Sequence, residues 1–208
     1  TEQVQRVVRK QLFLMTSSEN VARKLLFVRS NAALSMNHTG EFRKGQAVTI
    51  HFEPGSTLNV RHTFILDIYR LKVRGSPCDA VIYIFDLDLM VKNITHLFAP
   101  SIRESPGTVS FAGATTQVLK PSFGMAKSEK YTFPGYTCEL AVETVAGDCT
   151  VPIVSTSHPP EILGLHVSLS KLSNGKAFSN IIPVTRKDLE AVFSKASKHL
   201  SEWIREQE

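Results

Sequence analysis

Two runs dominate the middle of the chain: Val60-Arg-His-Thr-Phe-Ile-Leu-Asp-Ile-Tyr-Arg-Leu-Lys-Val73 and Ala80-Val-Ile-Tyr-Ile-Phe-Asp-Leu-Asp-Leu89. Both are dense in β-branched and aromatic residues, which suit a pleated, half-buried surface. The segment between them, Arg74-Gly-Ser-Pro-Cys-Asp79, has the composition of a reversing loop. The runs are therefore expected to be antiparallel neighbours at the heart of a sheet.

The remaining punctuation extends that reading. Ala47-Val-Thr-Ile-His-Phe52 predicts a strand with Val48, Ile50 and Phe52 on one face. Short strands are expected at 108–111, 116–119, 137–145, 150–154 and 163–172, separated by Gly and Pro. Such spacing marks a sandwich or barrel, not alternating βαβ units. Residues 1–15 suit a strand or a short helix. Behind Ser17-Ser-Glu-Asn20, the residues Val21, Ala22, Leu25, Leu26 and Val28 fall at helical spacing and predict an N-terminal helix.

The C-terminal segment carries the clearest helix signal. Thr185-Arg-Lys-Asp188 offers side chains to free backbone N–H groups, and Leu189, Val192, Phe193, Ala196, Leu200, Trp203 and Ile204 form one apolar stripe behind it. The expected fold class is thus α+β and β-rich: an antiparallel sandwich or partly open barrel with an N-terminal helix and a C-terminal amphipathic helix. One domain spans 1–208, as a basic segment 1–45, a β core 46–182 and a helix 183–208. The stripe's last members, Leu200, Trp203 and Ile204, lie where chain ends fray unless covered, and predict a self-association surface.

Charge is unevenly spread. Residues 1–75 hold 12 Lys/Arg against 5 Asp/Glu, leaving 12 against 14 in the remainder, for a net +5. The clusters at Arg6, Arg9 and Lys10, at Arg23, Lys24 and Arg29, and at Arg61, Arg70 and Lys72 predict a face that binds phosphate-bearing partners. An anionic lipid surface or single-stranded nucleic acid would supply that chemistry, with a homo-oligomer as the assembled form. No apolar run approaches the roughly 20 residues that span a bilayer, and the three cysteines form no disulfide framework. A cytoplasmic protein, peripheral to membrane or nucleoprotein and not secreted, is expected. Cys138 and Cys149 would meet only if 139–148 forms a hairpin, and reduced thiols are the expectation.

Motifs for chemistry are sparse. Gly40-Glu-Phe-Arg-Lys-Gly45 lacks the ending of a phosphate-binding loop, no Gly-x-Ser-x-Gly elbow exists, and the histidines stand singly, without metal-ligand spacing. His62 alternates with Val60 and Phe64 and is expected on the packed face. Asp86 and Asp88, two apart on a strand, project to one side. They would hold a divalent cation or run acid–base chemistry, or else form a polar face paired with Arg61, Arg70 and Lys72. No catalytic residue, metal site, cofactor or small-molecule substrate is assigned.

The layout resembles the small matrix proteins of negative-strand RNA viruses: a basic N-terminal part, a β-rich domain, few cysteines, and a strand running into the amphipathic helix that ends at Ile204. It also resembles plant-virus movement proteins. These resemblances imply a non-enzymatic structural protein that self-associates and binds membrane or RNA, or alternatively a single-stranded nucleic-acid binder. A metal-dependent enzyme built on Asp86 and Asp88 is the third alternative.

Overall fold

A computed structural model describes residues 2–38, 40–53, 59–111, 114–118, 121–140, 149–171 and 177–207. Helix α1 (Glu2–Arg9) leads into β1 (Leu12–Thr16), β2 (Ala22–Arg29), β3 (Ala32–Met36), β4 (Ala47–His51), β5 (Val60–Val73) and β6 (Ser76–Phe85). These six strands close into an antiparallel barrel in the order β1-β2-β3-β6-β5-β4. A connector with a single 3₁₀ turn (Thr95–Leu97) crosses to β7 (Gly107–Phe111), β8 (Ala114–Val118), β9 (Ser122–Lys127), β10 (Thr132–Leu140), β11 (Pro152–Ser155), β12 (Ile162–Lys171) and β13 (Ala177–Pro183). They form a second sheet ordered β8-β7-β11-β12-β13-β10-β9, and helix α2 (Arg186–Gln207) follows.

Two β bodies in succession replace the expected helix-flanked sandwich, and burial shows why. On β2, Leu25 and Phe27 point into the first barrel with Met15, Ile50, Ile65, Val81, Tyr83 and Phe85. The alternate residues Leu26 and Val28 join Leu34, Met36, Ala80, Ile82 and Ile84 in a cluster shared with Val154, Leu165 and Ile182 of the second sheet. A strand covered on both faces reads as an unbroken apolar run, and Leu25–Val28 had mimicked helical spacing. The predicted N-terminal helix over 21–28 is therefore β2. Ser17 closes the turn before it, its backbone N–H donating to Val21 O at 3.0 Å, with Asn20 at φ +61°.

The central hairpin is also tighter than its composition suggests. Arg74 and Gly75 have φ of +49° and +82°, the pairing of a two-residue turn that matches strand twist. Strand β6 therefore starts at Ser76, so Asp79 lies inside the strand, completely buried. Strand β6 ends at Phe85, and Asp86 and Asp88 are exposed on the connector that follows. His62 is exposed as well, because the barrel-facing phase is carried by Thr63, paired with buried Val48, and by Ile65.

Both helices seal the seam between the two bodies. Val4 and Val8 of α1 and Leu189, Val192 and Phe193 of α2 enter the shared cluster. Gln5 Nε2 donates to Thr108 O at 3.0 Å, tying α1 to β7. The helix start expected at Thr185 forms: Thr185 N–H donates to Asp188 Oδ2 at 2.9 Å and Asp188 N–H returns to Thr185 Oγ1 at 3.3 Å. The side chains of Leu200 and Trp203 lie outside the described residues, whereas Ile204 is about half exposed. Among the described residues, no helix is long and apolar enough to cross a membrane.

Candidate active site

Backbone pairing brings three distant side chains together. Met36 of β3 faces Ala80 of β6, and one step further the N–H of Asn37 donates to the carbonyl of Asp79 at 3.0 Å. His38 leaves the sheet there and turns toward Asp79, with 3.4 Å between Nδ1 and Oδ2. From the second body, Cys149 sits just before β11, its Sγ 3.9 Å from His38 Nε2 and 3.2 Å from the carbonyl oxygen of Val167. The imidazole thus stands between a carboxylate and a thiol, one on each ring nitrogen.

The elements on the thiol side are held by β12. Thr150 N–H donates to His166 O at 2.8 Å, and His166 N–H donates to Val151 O at 2.8 Å. Thr150 has φ +84°, a region disfavoured for a β-branched residue, at the position following the thiol. The ring of His166 is buried, with Nδ1 at 2.6 Å from Ser179 Oγ.

Electrostatics follow from burial. Asp79 is wholly buried, and among the described residues neither carboxylate oxygen has a hydrogen bond. Its charge is met by His38, whose pKa is pushed up to about 10, first by Asp79, then by Cys149, against the opposing effect of burial. The other two thiols differ in setting. Cys78 and Cys138 are buried, which pushes each up to about 11, and all three cysteines are free. The segment 141–148, where a hairpin joining Cys138 to Cys149 was considered, lies outside the described residues.

The basic residues singled out from sequence are dispersed over several elements. Arg6 and Lys10 are exposed, and Arg9 pairs with Glu2 at 3.0 Å. Arg23 pairs with Glu41, Lys24 is half-buried, and Arg29 lies over the Phe193 ring at 4.2 Å from its centroid. Arg61, Arg70 and Lys72 are exposed along β5. Among the described residues, no group of three or more His, Cys, Asp or Glu is arranged to hold a metal ion, and Asp86 and Asp88 lie apart from His38, Asp79 and Cys149 in the chain's path.

No protein-family model matches the sequence, and no curated relative does. The structure is nevertheless similar to that of the 3C protein of HRV-C, solved with rupintrivir, at a TM-score of 0.66 and 18% identity over 90% of this chain and 98% of that one. It is also similar to Rv3671c of M. tuberculosis H37Rv, solved as an inactive Ser343Ala mutant, at a TM-score of 0.52 and 12% identity over 92% and 89%. At these identities the likeness establishes the fold: this chain has the chymotrypsin-like double β-barrel architecture.

These likenesses correct the sequence reading in three respects. The helix-flanked α+β sandwich gives way to a double barrel. The matrix-like assembly protein, its movement-protein alternative and the metal enzyme on Asp86 and Asp88 are overturned by the same likenesses. The expectation of a non-enzyme is overturned by the same matches. His38, Asp79 and Cys149 were all missed. Their signal was a loop histidine, an acid and a thiol in that order along the chain, far apart and without any local motif.

Proposed function

We propose that this chain is a chymotrypsin-like cysteine protease, with Cys149 as nucleophile, His38 as general base and acid, and Asp79 as the group that orients and charges the imidazole. The observation that carries this reading is the bridging ring of His38, with buried Asp79 on Nδ1 and Cys149 Sγ on Nε2.

The chemistry is that of covalent acyl transfer. His38 Nε2, held protonated by Asp79 and Cys149, already carries the proton given up by the Cys149 sulfur, and that sulfur attacks the scissile carbonyl to form a tetrahedral adduct. Collapse of the adduct breaks the C–N bond, with His38 delivering the proton to the leaving amine and a thioester remaining on Cys149. Water then attacks the thioester, giving its proton to His38; the C–S bond breaks, the acid leaves, and the Cys149 sulfur and protonated His38 are restored. The buried carboxylate of Asp79 stabilises the imidazolium present in each proton transfer without itself being protonated. The contact of 3.9 Å is longer than a strong hydrogen bond, as is common before substrate tightens such a site.

A thiol nucleophile works only while reduced, which supports a reducing compartment as its working location. The test is hydrolysis of a diverse peptide pool followed by mass spectrometry. The parent is expected to cleave a defined subset, and Cys149→Ala and His38→Ala to cleave none. Equal cleavage by parent and Cys149→Ala would defeat the reading.

A further inference from the structure

The loop that carries His38 is fastened at a second point. It runs from Asn37 to Gln46 between β3 and β4, and Asn37 draws it closed: Nδ2 donates to Phe42 O at 3.2 Å, and Phe42 N–H donates to Oδ1 at 3.4 Å. Within that closure lies Glu41, three residues from His38, with a side chain only 10% exposed and ion-paired to Arg23 of β2. A carboxylate that far out of water is tolerated only when it is paired. The loop's apolar side is seated by Phe42, whose ring meets the fully buried Tyr83 edge-on at 6.0 Å between centroids. Gly40 turns the chain at φ +71°, and a Cβ placed there would lie 4.0 Å from Arg70 Nη2.

We infer that Glu41 and Arg23 are positioning residues for His38, a charged clamp that holds the loop so that the imidazole faces Asp79 and Cys149 together. This inference rests on the protease reading above. The spacing at the site makes the clamp consequential. His38 meets its partners at 3.4 Å and 3.9 Å, so a small displacement of the loop separates one contact or the other. Misplacing a reacting group by about 1 Å costs a rate factor on the order of 100. Arg23 lies on a strand of the barrel wall, between β1 and β3, and so lends the loop the rigidity of the sheet. On this inference both act through the placement of His38.

The experiment measures the alkylation rate of Cys149 by iodoacetamide from about pH 5 to about pH 11, resolved from Cys78 and Cys138 by peptide mapping. It needs no knowledge of the peptide substrate. His38→Ala defines the profile of a thiol without its base. The clamp predicts that Glu41→Ala and Arg23→Met move the profile toward that of His38→Ala, with a rate at neutral pH about 10-fold to 100-fold below the parent. It also predicts that Glu41→Gln lies between, and that the exchanged pair Arg23→Glu with Glu41→Arg recovers most of the parent profile. A Glu41→Ala protein that melts earlier yet keeps the parent profile while folded would overturn the clamp and leave a merely structural ion pair. If parent and His38→Ala share one profile, the protease reading itself fails, which is a different result. Should Glu41→Ala not fold, Glu41→Gln against Glu41→Asp carries the same comparison: Asp is expected to restore more of the parent profile than Gln.

Discussion

The amide of Asn37 is tied to the carbonyl of Asp79 at 3.0 Å, so the residue before His38 is fixed to the residue whose carboxylate faces the His38 ring. This one bond continues the β3–β6 ladder past Met36 and Ala80. Half of the geometry of the candidate site is therefore a consequence of strand register inside the first barrel. The other half depends on how the second sheet meets that barrel, because Cys149 is placed by β12. Their meeting is enforced by the apolar cluster that β2, β3 and β6 share with β11, β12 and β13.

The charge state of His38 should make stability depend on pH in one direction. Its folded-state pKa, about 10, lies above the ordinary 6.5, through Asp79 first and Cys149 second. A group whose value rises on folding stabilises in full below its unfolded value, and that contribution fades as pH climbs through the folded value. In a Cys149→Ser background, which removes the thiol's own titration, His38→Gln should therefore cost most in melting temperature at pH 6 and below. The difference should narrow as pH climbs above about 6.5, and be gone before the parent's value of about 10 is reached, because the contribution of Cys149 is absent. A gap that stays constant across this range would refute the raised value.

Tyr83 presents a different kind of test. Its side chain is fully buried in the first barrel, and among the described residues its hydroxyl has no hydrogen-bond partner. Burial, reinforced by the nearby charge of Glu41, pushes its pKa far up. An unsatisfied buried polar group costs about 1–3 kcal/mol, and phenylalanine keeps the ring while removing it. Tyr83→Phe is expected to melt at the same temperature as the parent or higher. A clear drop would show that an ordered water satisfies the hydroxyl.

Gly164 should resist any side chain. It sits on β12 opposite Pro183, where a Cβ would collide with the carbonyl oxygen of Ile182 and crowd the side chain of Ile181. Because backbone and not a flexible tip is the obstacle, Gly164→Ala must push β12 from β13. The same strand places the backbone of His166 against Thr150 and Val151, beside Cys149. We expect a loss of about 2–4 kcal/mol, typical of severe overpacking, read by chemical denaturation. Gly124, around which a Cβ meets nothing within 4 Å, is the matched control.

Much of the architecture was legible where periodicity was local. The strands near 47–52, 60–73, 108–111 and 163–172 and the C-terminal helix with its Thr185–Asp188 start all appear close to their expected positions. Two things were not legible. A strand buried on both faces has no alternation to detect, so β2 looked helical. Nor does any periodicity within one segment reveal that β2, β3 and β6 each serve two cores. The candidate site lay beyond reach for a related reason: His38 and Cys149 are 111 positions apart and come from two separate sheets.

The turn at Arg74-Gly75 decides which acid matters, and this gives the sharpest contrast. A loop reaching to Asp79 would leave that residue outside the strand. The observed two-residue turn buries Asp79 within β6, and the other pair lies exposed beyond the strand's end. Asp79→Asn removes the charge that holds His38 protonated and oriented. An uncharged amide at this place in a catalytic triad lowers turnover by about 10⁴, and a loss of about 10²–10⁴ is expected here. The double change Asp86→Asn with Asp88→Asn alters only exposed carboxylates, so hydrolysis should stay within about 2-fold of the parent and stability within about 0.5 kcal/mol. Peptide hydrolysis by the two proteins, each checked for folding by circular dichroism, shows which carboxylate the chemistry needs. A double mutant as impaired as Asp79→Asn would return the acid chemistry to Asp86 and Asp88.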